Sequence, residues 1–124
     1  MIEGINHITF SVRDLGRSLA FYTGVLGCSL RKRWVSGAYL EAGTLWVALI
    51  VDEDTRKEPL PEYTHTAFQV SVANFNALAL RIIQAGAIIW QENTSEGESL
   101  YFLDPDGHKL EIHTSNLAAR LLAQ

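Results

Sequence analysis

This 124-residue sequence predicts an α+β fold, built from one βαβββ unit used twice. The first observation is a pair of strand-like runs that each begin with histidine. In His7-Ile8-Thr9-Phe10-Ser11-Val12 the residues Ile8, Phe10 and Val12 alternate with His7, Thr9 and Ser11. In His65-Thr66-Ala67-Phe68-Gln69-Val70 the residues Phe68 and Val70 stand in the phase opposite His65 and Gln69. A period of two belongs to a strand with two different faces. The second observation is that each run leads into an apolar stripe of helical spacing closed by a glycine. The third is the offset: His65 follows His7 by 58 positions and Gly86 follows Gly27 by 59. Two landmarks of different kinds at nearly one spacing point to an internal duplication.

The elements follow in order. After the first strand, Asp14 is an N-cap candidate for a helix carrying Leu15, Leu19, Tyr22 and Leu26, with Gly27 at its C-terminal stop. Three strands are expected at 29–35, 38–42 and 45–51, punctuated by Gly37 and Gly43. The charged stretch from Asp52 to Glu62, with Pro59 and Pro61, reads as a linker or long surface loop. The second unit repeats the order: a strand at 65–70, a helix at 75–85 with Phe75, Leu78, Ile82 and Ala85 on one stripe, and strands at 87–90, 99–103 and 109–114. The boundaries expected within the single domain are about 4–52 for unit 1, 53–62 for the linker, 63–115 for unit 2 and 116–124 for a helical tail.

Composition bounds the function. At 48% hydrophobic the chain is an ordinary folded protein, and 124 residues suffice for one core. A net charge of −4 argues against nucleic acid or an anionic membrane as the main partner. A single cysteine, Cys28, excludes an internal disulfide and suits a reducing compartment. No apolar run approaches the roughly 20 residues of a membrane span, and the start lacks a secretion signal, so the cytoplasm is expected.

Chemistry collects on the polar phase of the strands. If helices cover the aliphatic face, then His7, Thr9, His65, Gln69, Lys109, Glu111 and His113 look into a concave polar face. Two imidazoles and a carboxylate, His7, His65 and Glu111, suit a divalent transition metal that keeps coordination positions open for substrate. The bland readings are a solvated turn for His108, an ordinary polar position for His113, packing for Trp46 and a buried small apolar residue for Cys28. Tyr39 is the better site candidate of the large aromatics.

Several motifs carry a resemblance. They are Asn6-His7-Ile8-Thr9, Gly37-Ala38-Tyr39-Leu40, Leu45-Trp46-Val47, Tyr63-Thr64-His65, Asn93-Thr94-Ser95-Glu96-Gly97-Glu98-Ser99, Tyr101 through Glu111 with its Asp104-Pro105-Asp106-Gly107 turn, and Leu117-Ala118-Ala119-Arg120-Leu121. In this order they resemble the vicinal-oxygen-chelate superfamily, and most of all its FosA-type fosfomycin-resistance glutathione transferases. That resemblance implies paired βαβββ units forming a cupped mixed sheet with helices outside, in a homodimer whose sites are shared between chains. It implies Mn²⁺ held by His7, His65 and Glu111, and fosfomycin whose epoxide is opened by glutathione. Thr9 would hydrogen-bond the epoxide oxygen. The stretch matching the family's potassium loop would hold K⁺ through Asn93, Ser95, Gly97 and Ser99. Tyr39, Ser95, Ser99, Tyr101 and Arg120 would contact substrate.

The chain departs from the family pattern in places. Gln91 stands where many FosA-type enzymes have a phosphonate-binding lysine, so a charge-assisted contact is lost. Thr66 replaces a frequent tyrosine, which bears on the thiol used, and the chain ends sooner after Arg120 than in relatives. Other readings share the scaffold. An epoxide hydrolase of the family carries a glutamate near Gly37, which cannot serve as a base. A two-His, one-carboxylate iron oxygenase and a non-catalytic drug-binding protein complete the set.

Overall fold

A computed structural model describes all residues, 1–124, as two compact units, Met1–Lys57 and Glu58–Gln124. Each carries one four-stranded mixed sheet. In the first, strands β1 (His7–Val12), β2 (Ser29–Trp34), β3 (Gly37–Ala42) and β4 (Leu45–Val51) stand in the order β1-β4-β3-β2, with β1 and β4 parallel and the other pairs antiparallel.

The pairing explains the faces. His7 lies opposite Trp46, and Thr9 opposite Ala48, which in turn lies opposite Tyr39. On the other face Phe10, Val12, Leu40, Val47 and Leu49 are buried, each removal from water contributing roughly 1.5–3 kcal/mol. Helix α1 (Leu15–Leu19) covers that face with Leu15 and Leu19. The Asp14 carboxylate caps it, accepting from the Arg17 N–H at 2.9 Å.

The α-helical pattern expected through Leu26 does not persist. From Ala20 to Val25 the helix widens to π geometry, with the Leu26 N–H reaching the Phe21 carbonyl at 3.0 Å. Thr23 donates its hydroxyl to the Leu19 carbonyl at 2.6 Å, a side-chain bond that competes with the regular backbone ladder. Phe21 and Tyr22 are carried onto the core, and Tyr22 stacks on Phe10 with centroids 5.5 Å apart.

The second unit repeats the topology: β5 (Thr66–Gln69), β6 (Ile89–Gln91), β7 (Ser99–Leu103) and β8 (Lys109–His113) in the order β5-β8-β7-β6. Helix α2 (Val72–Gln84) starts three residues earlier than its apolar stripe suggests, because the Ser71 hydroxyl accepts from the Asn74 N–H and caps it there. Phe75 and Ile82 face inward, while Ala85 is exposed at the end of the helix. Strand β6 begins at Ile89 rather than Ala87, whose N–H still bonds the Ile82 carbonyl at the helix end. A short helix, α3 (Leu117–Leu122), follows β8, capped by Asn116.

The Asp-Pro-Asp-Gly turn corrects one expectation. His108 is not solvated but buried, as are Asp104 and Asp106. One Asp104 carboxylate oxygen accepts from the N–H groups of Asp106 and His108, both at 2.9 Å, which ties the turn into the interior. At Gly107, with φ +88°, an added Cβ would stand 3.0 Å from the Pro59 nitrogen, so the segment before β5 lies directly on this turn. No helix is long and apolar enough to cross a membrane.

Candidate active site

In the second unit, His65 stands just before β5, and its Nδ1 lies 2.9 Å from the Tyr63 carbonyl. A carbonyl only accepts, so Nδ1 carries the hydrogen and the neutral ring presents a lone pair at Nε2. That lone pair faces Oε1 of the buried Glu111 at 3.0 Å. Two acceptors facing each other need a proton or a cation between them. Bonds of roughly 2.0–2.2 Å meeting at a right angle would set two ligands about 3 Å apart, so the pair fits adjacent positions on one metal ion. Tyr63, Trp90 and Tyr101 crowd the His65 ring edge-on, with centroids 5.0, 5.3 and 5.9 Å away, and hold its plane.

The other carboxylate oxygen, Oε2 of Glu111, accepts from the Ser99 hydroxyl at 2.6 Å. Ser99 has one hydrogen to give, and Glu111 takes it. The Ser99 oxygen also lies 2.5 Å from Nδ1 of His113, whose Nε2 is 3.3 Å from Nη2 of Arg120. Register explains the convergence: Ser99 pairs with His113, and Tyr101 with Glu111, across β7 and β8.

The loop before β7 is closed by Asn93. Its amide donates to the Gly97 carbonyl at 2.8 Å, and its oxygen accepts from both the N–H and the hydroxyl of Ser95. Glu96 anchors the far side, accepting from the Ser115 hydroxyl at 2.6 Å and pairing with Arg120 at 3.5 Å. Its Oε1 is buried without a hydrogen-bond partner, as is Nε of Arg120. The Glu96 carboxylate is committed to the Arg120 guanidinium, so the oxygen donors this loop could offer a hard monovalent cation are its carbonyls and hydroxyls. Gly97 is obligatory: at φ +84° an added Cβ would meet the Ser115 Cβ at 2.7 Å.

In the first unit, His7 lies on the exposed polar face with Nδ1 2.8 Å from the Asn6 side-chain oxygen, which leaves Nε2 outward. Its ring stacks on Trp46, with centroids 4.2 Å apart. Trp46 is therefore not a packing residue but part of the polar face, edge-on to Tyr39 at 5.2 Å. Thr9 shares the face through Ala48, which stands between it and Tyr39 across β1, β4 and β3. Gly37 admits no side chain: a Cβ there would lie 2.6 Å from the Trp34 ring and 2.9 Å from the Leu49 carbonyl oxygen.

The structure thus joins His65, Glu111, Ser99, Tyr101 and Arg120 in one unit and His7, Thr9 and Tyr39 in the other. Within neither unit do three His, Cys, Asp or Glu side chains converge as a ready-made metal site. Sequence reasoning gave no role to Glu96 and Tyr63, although both stand inside motifs it singled out, and it placed Trp90 only in a strand. His113 was legible by phase with Glu111, but only the β7–β8 register reveals its partners. Gln91, between Trp90 and the loop, donates to the Tyr63 hydroxyl at 2.8 Å.

Comparison with known proteins places this geometry. The model of the Glyoxalase/Bleomycin resistance protein/Dioxygenase superfamily matches residues 4–112. Glutathione transferase FosA of Serratia marcescens is 51% identical over 99% of this chain and 89% of its own length. Metallothiol transferase FosB of Lysinibacillus sphaericus is 40% identical, covering 97% and 88% respectively. Among solved structures, a mutant of the Listeria monocytogenes fosfomycin resistance protein FosX, complexed with Mn(II) and a dihydroxypropylphosphonic acid, superposes with a TM-score of 0.83 at 29% identity, over 98% of this chain and 97% of that one.

Proposed function

The chain belongs to the glyoxalase/bleomycin resistance protein/dioxygenase superfamily and, within it, to the fosfomycin-resistance transferases; from that premise we propose that it opens the epoxide of fosfomycin by adding glutathione to it. The facing groups His65 Nε2 and Glu111 Oε1 carry the reading, because their 3.0 Å separation fits two adjacent ligands of one metal ion. A divalent metal, Mn²⁺ by analogy with the FosX complex, is the proposed occupant, with His7 as the third ligand. In a homodimer with shared sites, His7 comes from one protomer and His65 and Glu111 from its partner. The cytoplasm, where glutathione is abundant and the lone Cys28 stays reduced, is the proposed compartment.

When bound, the metal supplies Lewis-acid polarisation of the epoxide oxygen. The chain's own groups do the rest. Thr9 donates its hydroxyl hydrogen to that oxygen as the C–O bond breaks and negative charge develops there. The sulfur of glutathione forms the new C–S bond as one epoxide C–O bond breaks, and the proton lost by the thiol ends on the ring oxygen, which stays on the neighbouring carbon as a hydroxyl. Arg120 offers a planar fork to the phosphonate, and Tyr101, Ser95 and Tyr39 line its approach. Ser99, whose hydrogen is held by Glu111, flanks the phosphonate site beside Tyr101. Asn93, Ser95, Gly97 and Ser99 are the residues that would hold K⁺, which would offset the substrate's second negative charge; the loop that Asn93 closes onto Gly97 and Ser95 supports that role.

Hydrolysis is disfavoured on steric grounds, since the Trp34 ring and Leu49 carbonyl leave Gly37 no room for a catalytic side chain. A different thiol is the second reading, given the 40% identity to a metallothiol transferase. One assay separates these: fosfomycin with Mn²⁺ and K⁺, offered glutathione, cysteine or water alone, with products resolved by mass. The expected product is the glutathione adduct. A cysteine adduct or a diol would replace the thiol assignment, and absence of any product with saturating metal would overturn the enzyme reading.

A further inference from the structure

We infer that His113 is a positioning residue that fixes the direction of the Ser99 hydroxyl and, through it, the orientation of the Glu111 carboxylate. The inference rests on the metal-site reading above and extends it to a residue two positions along β8 from Glu111.

Arg120, His113, Ser99 and Glu111 form a chain of donors and acceptors that runs only one way. Arginine has no acceptor, so the contact between Arg120 Nη2 and His113 Nε2 at 3.3 Å makes Nε2 the lone-pair nitrogen. The hydrogen of the neutral ring is then on Nδ1, which donates to the Ser99 oxygen at 2.5 Å. With that lone pair occupied, Ser99 directs its own hydrogen to Glu111 Oε2, 2.6 Å away. Glu111 accepts at Oε2, its carboxylate plane is held, and Oε1 is left toward His65 Nε2 at 3.0 Å.

Two further contacts keep the ring in place. Gly97 approaches so closely that an added Cβ would stand 3.0 Å from His113 Cε1, so the imidazole packs in the space that a side chain at this position would take. Glu96 pairs with Arg120 and holds the first member of the relay. His113 itself is half-buried, its side chain 14% exposed, beside a carboxylate that is 7% exposed, so water competes weakly for these bonds. Groups that hydrogen-bond a ligating carboxylate typically change metal affinity 10- to 100-fold when removed.

The test reads metal affinity and tautomer rather than turnover. Free Mn²⁺ is followed by electron paramagnetic resonance during titration of the full-length parent, His113→Ala, His113→Asn, His113→Gln and Ser99→Ala, each first checked by thermal unfolding. His113→Ala and Ser99→Ala should bind about tenfold more weakly. His113→Asn places an amide N–H where Nδ1 stood and should recover to within about threefold of the parent. His113→Gln, whose amide reaches toward Arg120 instead, should remain weak. Nitrogen NMR of the metal-free parent should show hydrogen on Nδ1 of His113 and none on Nε2. Parent-like affinity in His113→Ala, equal affinity in the Asn and Gln variants, or a hydrogen on Nε2 would each overturn the inference alone. A parent that binds no Mn²⁺ would sink the metal-site reading and this one with it.

Discussion

His65 Nε2 and Glu111 Oε1 face each other at 3.0 Å, with the imidazole hydrogen already committed on the opposite side of the ring to the Tyr63 carbonyl. The two side chains come from positions 46 residues apart and meet because β5 and β8 run parallel with Ala67 opposite Glu111. A proton or a cation between them satisfies both groups. Either His65→Ala or Glu111→Ala should lower kcat/KM for fosfomycin by at least about 100-fold while the far-ultraviolet circular dichroism stays parent-like. Retained activity in both variants would remove the pair from the chemistry.

Gly37 is the most tightly enclosed glycine of the first unit. Gly37→Ala forces the new Cβ against the Trp34 ring and the Leu49 backbone oxygen, and overpacking of this kind costs about 1–3 kcal/mol. The expected thermal unfolding midpoint falls by roughly 5 °C or more. Pairing with Trp34→Ala should restore part of the loss, since the ring is the nearer neighbour. A Gly37→Ala protein as stable as the parent would show that the backbone yields freely here.

Gln91 donates to the Tyr63 hydroxyl beside the His65 ring. Its neutral amide offers an anionic substrate less than an ammonium would, by about 1 kcal/mol between neutral and charge-assisted bonds. Gln91→Lys should therefore lower KM for fosfomycin roughly fivefold, measured at saturating glutathione. An unchanged or higher KM would mean that this position does not face the phosphonate.

Burial pushes the Cys28 thiol up from 9.0 to about 11. The folded state therefore holds the proton more tightly than the unfolded chain does. Its contribution to stability is fully present below about pH 9 and is lost as pH rises through about 11. At pH 8 the native thiol should react with iodoacetamide far more slowly than the same protein in denaturant. Equal rates, followed by mass, would show that Cys28 is reachable in the folded state.

Much of this protein is written locally. Alternation in β1 places His7 and Thr9 together on the face opposite Phe10 and Val12, and the same period aligns Lys109, Glu111 and His113 in β8. Asp14, Ser71 and Asn116 cap their helices with their own side chains, needing no distant partner. What alternation cannot convey is which strands pair and in what register. Tyr63, Trp90 and Tyr101 enclose His65 only because β5, β8, β7 and β6 lie side by side, and the Ser99–His113–Arg120 relay exists only at the observed β7–β8 register. Burial of Asp104, Asp106 and His108 in a turn of polar residues is of the same kind. Side-chain phase is a property of two or three neighbours along the chain, whereas hydrogen-bond direction and desolvation depend on groups brought together from far apart, which folding alone supplies.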